Sequence, residues 1–230
     1  MNARELVNYL AGLAENNNRA WFAMSKPSYD ILRAEFTELV AQVTAATAAF
    51  DPAVAGQDPK KALFRINRDL RFSRDKSPYK THFSGAIAPG GRKDPGSHYY
   101  FHIDHRGMLL VAAGCYMPPG DVLAKIRAHI AREPAKFTRL LGVQGLWSHF
   151  GAFADEGRLS RPPKGFAPDT PHIDYIKQKS FVVWTEQPVK GKKGAALTKA
   201  ITSGFKLSFP LIRWLRQATA GDSRARDATP

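Results

Sequence analysis

The chain has 230 residues, 43% of them hydrophobic and 23% charged, which is enough apolar material for one sizeable buried core and excludes a disordered or fibrous chain. The formal charge of +14 favours anionic partners. A single cysteine, Cys115, excludes an internal disulfide and a cysteine-cluster zinc site, and the lack of a secretory core or a long apolar stretch predicts a cytoplasmic protein with no membrane span.

Residues 3–15 carry Leu6, Leu10 and Leu13 at helical spacing, and Asn16, Asn17 and Asn18 then predict a break, because Asn side chains compete for backbone groups. From Pro27 onward Tyr29, Leu32, Phe36, Leu39, Val40 and Val43 recur at steps of three and four. This spacing predicts an amphipathic helix with Pro27 in its first turn, ending near Phe50. Residues 51–61, with two prolines, read as a polar loop.

Residues 98–104 alternate, with Tyr99, Phe101 and Ile103 on one face and His98, Tyr100, His102 and Asp104 on the other. Residues 108–116 are nearly all apolar and follow through His105, Arg106 and Gly107, so the two segments read as a hairpin whose second strand is central in its sheet. Pro118 and Pro119 open a helix along Val122, Leu123, Ile126 and Ile130, and Pro134 opens another through Phe137, Leu140 and Leu141. Residues 142–171 are rich in Gly and Pro and give no period, although Trp147, Phe150 and Phe153 punctuate them. A strand at 180–186, a basic loop at 189–194 and helical spacing through Leu197, Ile201 and Phe205 follow, and Pro210 is expected to interrupt that helix before Ile212 and Leu215. The order of helices, strands and helices predicts an α+β fold: a single domain over residues 1–216, its mostly antiparallel mixed sheet packed against several helices, with a flexible tail at 217–230.

Residues 65–82 hold six basic side chains against two acidic ones, a density of charge and aromatic residues unmatched elsewhere in the chain. Read as a strand, Phe64, Ile66, Leu70 and Phe72 point one way and Arg65, Asn67, Asp69 and Arg71 the other. Arg68 then falls on the apolar side, which predicts either a bend or a buried guanidinium oriented by Asp69 or Asp75. The expected site draws its anion ligands from Arg65, Arg68 and Arg71, with Asp69 orienting one guanidinium. Lys76, Tyr79 and Lys80 close it, and Ser73 and Thr81 add hydroxyls. The plainer reading of the same run is a solvated, charged edge strand.

The string RDLRFSRDKSPYKTHF, with NNNRAWF at 16–22, YYFHID at 99–104 and RPPKGF at 161–166, resembles the widespread bacterial uncharacterised family known as domain of unknown function 2461, from about Glu5 to Arg216. The resemblance implies a family signature centred on Arg68, Asp69, Arg71, Phe72, Ser73, Lys76, Pro78, Tyr79, Lys80 and Thr81, and it implies no particular reaction or cofactor.

Tyr100 and His102 are the nearest candidates for proton transfer, since histidine titrates near neutrality. His102 and Asp104 on one strand face, with His149 and then Arg158-x-Ser160 further along, match the order of a non-haem iron oxygenase, but the chain offers too few strands for that sheet. The dinucleotide, P-loop and serine-hydrolase signatures are all missing. Two main readings remain: a basic pocket for a small anionic or phosphorylated ligand, or a nucleic-acid-binding module with weak, salt-dependent affinity that combines residues 65–82 with the lysines of 190–206.

Overall fold

The computed structural model describes residues 1–71 and 73–220; Phe72 and residues 221–230 of the expected tail lie outside the described residues. The chain is α+β, as expected: helices accompany a four-stranded antiparallel sheet in the order β1-β2-β3-β4. Its strands are β1 (His82–Ile87), β2 (His98–Asp104), β3 (Met108–Cys115) and β4 (Phe181–Pro188). The residues group into two compact units, one comprising Met1–Lys93, Tyr99–Ala112 and Thr185–Lys206, the other Asp94–His98, Ala113–Trp184 and Leu207 onward. Among the described residues no helix is long and apolar enough to cross a membrane.

In the first unit, α1 (Ala3–Glu15) is capped by Asn2, whose side chain accepts the Arg4 N–H, and it buries Leu6, Leu10 and Leu13 as expected. The next helix, α2 (Arg19–Ala48), starts eight residues before Pro27. Asn18 is the reason: its side chain accepts the Trp21 N–H at 3.0 Å and opens the helix earlier than the hydrophobic period signals. Pro27 therefore lies inside α2, and because Pro27 and Ala23 are both exposed, water can satisfy the carbonyl that lacks a helical donor. The expected loop after α2 contains a 3₁₀ turn, Pro52–Val54, and the short α3 (Pro59–Ala62), each with proline at its start.

The core of this unit is aromatic. Phe36 of α2 meets Phe83 edge-on and stacks on Phe101, with ring centroids 5.5 Å apart in both pairs, while Tyr99 lies 5.0 Å from Phe205. The β1–β2 register pairs Phe83 with Ile103, Gly85 with Phe101 and Ile87 with Tyr99, so this face is the buried one. Gly85 permits the close approach of α2, for a Cβ there would stand 3.2 Å from Val40. By alternation His82, Ser84, Tyr100, His102 and Asp104 lie on the opposite face. The β2–β3 hairpin turns through His105–Gly107 as expected, and Asp104 caps it by accepting the N–H groups of Arg106 and Met108.

The second unit contains α4 (Gly120–Arg132) and α5 (Pro134–Leu141), both legible in the spacing. It also contains α6 (Gln144–Phe150) and α7 (Ile173–Ile176), which are too short to show a period. Phe137 is fully buried there, 5.1 Å from both Trp214 and Tyr175. The last helix, α8 (Ala195–Thr219), passes through Pro210 without the expected interruption and carries helix past residue 216, where the tail was expected to begin. Apolar residues on both sides of the proline, Phe205, Leu211, Ile212 and Leu215, are buried, and that burial outweighs one lost hydrogen bond. Cys115, at the end of β3, is buried with its thiol pushed up to about 12 by burial.

Of the described glycines in the second unit, Gly114 has the least room for a side chain. Its φ of +133° suits glycine, and a Cβ there would lie 2.0 Å from the Phe181 carbonyl oxygen. Gly114→Ala is expected to cost on the order of 3 kcal/mol or more, or to abolish folding, as measured by chemical denaturation.

Candidate functional site

The segment expected to begin as a strand is a closed loop. Among the described residues its ladder contacts are single bridges, Leu63 with Gly85 and Asn67 with Tyr79. The Arg68 N–H donates to the Pro78 carbonyl at 2.9 Å, and the Lys80 N–H donates to the Ile66 carbonyl at 2.8 Å, so the chain returns to its own starting point. Side chains at 68–77 explain why it bends: they bond to one another. The Arg68 guanidinium donates to the Asp75 carboxylate, to Ser73 Oγ at 3.1 Å and to the Ser77 carbonyl at 3.2 Å. Ser77 donates to Asp75 through its hydroxyl at 2.6 Å and its N–H at 2.9 Å, and these bonds, with Arg68, hold the Asp75 carboxyl down at about 2.

Arg68 is thus the internally paired guanidinium that its place on the apolar side demanded, with Asp75 as the partner. Asp69 does orient a guanidinium, that of Arg71, in a bond of 2.7 Å that lowers the Asp69 carboxyl to about 2. Arg71 is 77% exposed. Lys76 Nζ donates to the Leu70 carbonyl at 3.1 Å, and Ser73 Oγ donates to the Asp75 carbonyl at 2.8 Å. Arg68, Asp69, Arg71, Ser73 and Lys76 therefore shape the loop tip. Thr81 contributes its carbonyl, which accepts the His105 N–H at 3.0 Å.

The base of the loop is pinned by the Asn run. Asn17 Nδ2 donates to the Tyr79 carbonyl at 2.9 Å, and Asn17 Oδ1 accepts the Tyr79 N–H at 3.0 Å. The buried Tyr79 ring stacks on Phe22 with centroids 4.1 Å apart. The strings at 16–22 and 68–83 are thereby in direct contact.

Beyond Tyr79 the chain enters the outer face of β1 and β2, where the proton-transfer candidates meet. The Tyr100 hydroxyl lies 3.2 Å from His102 Nδ1, and the Ser84 hydroxyl hydrogen-bonds Tyr100. The His82 and His102 rings lie 4.9 Å apart. Burial holds His82 down at about 4, assisted by His102 and Lys80, and burial also lowers His102 and raises Tyr100. Near neutral pH both imidazoles are uncharged and the phenol keeps its proton, so in the Nε2–H tautomer of His102 the Tyr100 hydroxyl donates to His102 Nδ1 and is free to accept from Ser84.

Cations flank this chain of hydroxyls. The Phe64 N–H donates to the Ser84 carbonyl at 3.1 Å, which sets the Phe64 ring 6.0 Å from Tyr100. Lys80 Nζ stands 5.2 Å from the Phe64 centroid and the Arg92 guanidinium 5.9 Å from it. Burial, Arg65 and Arg92 all lower the Lys80 ammonium, and among the described residues no carboxylate pairs with Lys80, Arg65 or Arg92. Sequence reasoning missed Phe64, His82, Ser84 and Arg92 as members of this site. Strand alternation with Tyr100 and His102 was the available signal for His82 and Ser84, whereas nothing local tied Arg92 to Lys80.

Asp104 is engaged by the Arg106 Nε at 2.6 Å and by two hairpin N–H groups, and among the described residues no three His, Cys, Asp or Glu side chains are placed to hold a metal ion.

The low folded value of His82 carries a pH signature. An unfolded histidine near 6.5 takes up its proton before the folded one at about 4, so stability is intact above pH 6.5 and falls as the pH drops toward 4. In His82→Gln, acid-induced loss over that window is expected to be smaller than in the wild type by about 2–3 kcal/mol, read from denaturant midpoints at each pH.

No curated protein and no solved structure matches the chain. The family described as "Conserved hypothetical protein (DUF2461)" matches residues 5–214, a span that takes in the pinned loop and the β1–β2 face, and the chain belongs to that family.

Proposed function

We propose that the outer face of β1 and β2 binds a small anionic or phosphorylated ligand, and that the Tyr100–His102 pair exchanges a proton with it. One observation carries this reading: Lys80 and Arg92 lie beside the Phe64 ring, Arg65 is close enough to lower the Lys80 ammonium, and among the described residues no carboxylate pairs with Lys80 or Arg92. The exposed Arg65 and Arg92 repel the half-buried Lys80, and an anion placed among them relieves that repulsion while gaining charge-assisted hydrogen bonds. The ligand-holding side chains are then Lys80, Arg65 and Arg92, with Ser84 and Tyr100 as hydroxyl donors. Neutral His102 accepts a proton through the Tyr100 hydroxyl, which is the arrangement general base chemistry requires. Arg68 and Arg71, already satisfied by Asp75 and Asp69, hold the loop that carries Lys80.

The test uses thermal unfolding with inorganic phosphate and pyrophosphate at matched ionic strength. Each anion is expected to raise the wild-type melting temperature, because a ligand that binds only the native state stabilises it. Lys80→Met is expected to weaken the apparent affinity about tenfold, the loss of one charge-assisted bond, while Arg71→Lys behaves as wild type. Equal stabilisation of the wild type and Lys80→Met would overturn the proposal.

A further inference from the structure

We infer that the second unit contains a separate binding site for a small organic ammonium ion, in a pocket of about 520 Å³ between α6, the segment that follows it, and α7. This inference does not rest on the anion site of the first unit.

Three aromatic rings wall the pocket. The Trp147 indole N–H donates to the Leu140 carbonyl at 3.0 Å, which fixes the ring's orientation. Trp147 meets Phe153 edge-to-face with centroids 5.0 Å apart, and Phe153 meets Tyr175 in the same way at 6.0 Å. Such rings favour a cation over a neutral group of the same shape, because their faces carry partial negative charge.

The charge of the lining points the same way. In a chain of formal charge +14, this pocket is lined by two carboxylates, Asp155 and Asp174, and by one guanidinium, Arg158. Asp174 is shared between Lys177 at 3.4 Å and Arg158 at 3.9 Å. Asp155 has no ion-pair or hydrogen-bond partner among the described residues, so it is the carboxylate available to an incoming cation.

The third observation is Gln178, which lines the pocket at 7% exposure and whose side-chain oxygen has no hydrogen-bond donor among the described residues. Its backbone is satisfied, since its carbonyl accepts from Arg127 at 3.0 Å and its N–H donates to the Tyr175 carbonyl at 3.0 Å. A buried acceptor without a donor is costly, and the missing partner is an N–H group. Aromatic faces, an available carboxylate and an unpaired carbonyl oxygen together select a primary or secondary ammonium on an apolar body. A carboxylate ligand would face Asp155 and Asp174 instead.

The probe is benzylamine, titrated calorimetrically into the full chain, with benzyl alcohol as its uncharged match. Benzylamine is expected to bind saturably, and benzyl alcohol about tenfold more weakly or not at all. Asp155→Asn and Gln178→Leu are each expected to weaken benzylamine about fivefold, with circular dichroism confirming the fold. Asp155 is exposed at the rim, so its variant keeps the test decisive if Gln178→Leu perturbs folding. Lys80→Met is expected to bind benzylamine as the wild type does. Equal binding of the alcohol and the amine, no saturable heat with benzylamine up to roughly 10 mM, or unchanged affinity in Asp155→Asn would each overturn the inference.

Discussion

Both backbone groups of Tyr79 are held by one side chain, the amide of Asn17, and the loop and the β1–β2 face are built outward from that clamp. An Asn amide offers one donor and one acceptor at the spacing of a peptide group, so Asn17 does for Tyr79 what a neighbouring strand would do. Asn67 bridges Tyr79 as well, and the Phe22 ring lies against its phenol. The point of closure is therefore specified three times. Lys80 and His82 follow within three residues, so their positions on the β1–β2 face descend from this clamp.

The charges of residues 65–82 sort into two populations with different physics. At the tip, carboxylates and guanidiniums satisfy one another close to solvent, where ion pairs contribute little to stability and mainly give the loop one shape. At the base, cations crowd beside aromatic rings with their ammonium and guanidinium groups unneutralised. A plain count of basic residues merges these populations. Separating them moves the centre of the candidate site from Arg68 and Arg71 to Lys80, Arg65 and Arg92, next to the histidine and tyrosine already singled out on β2.

The parts of the fold legible in the sequence are those in which one period runs uninterrupted. Leu6, Leu10 and Leu13 announce α1, and the alternation of Tyr99, Phe101 and Ile103 announces β2. What stayed hidden had competing local signals: Pro27 and Pro210 argue for helix ends, yet the Asn18 cap opens α2 ahead of Pro27 and burial on both sides of Pro210 carries α8 through it. The loop misled for a different reason. Phe64, Ile66 and Leu70 alternate as a strand would, but the Arg68–Asp75–Ser77 network closes the chain on itself, and its spacings have no period. Arg92 was invisible because only tertiary folding carries residue 92 to residue 64.

The lone thiol gives the molecule an internal clock. Cys115 is buried, and burial pushes its ionisation up to about 12, so at neutral pH the folded thiol stays protonated. Thiol-directed alkylating reagents and oxidants act on the thiolate, so in the folded chain Cys115 is protected from both. Modification proceeds only through excursions that expose the end of β3, where a normal thiol ionises several orders of magnitude more readily. The labelling rate of the unaltered protein therefore measures how often that end of the sheet opens, without an introduced probe.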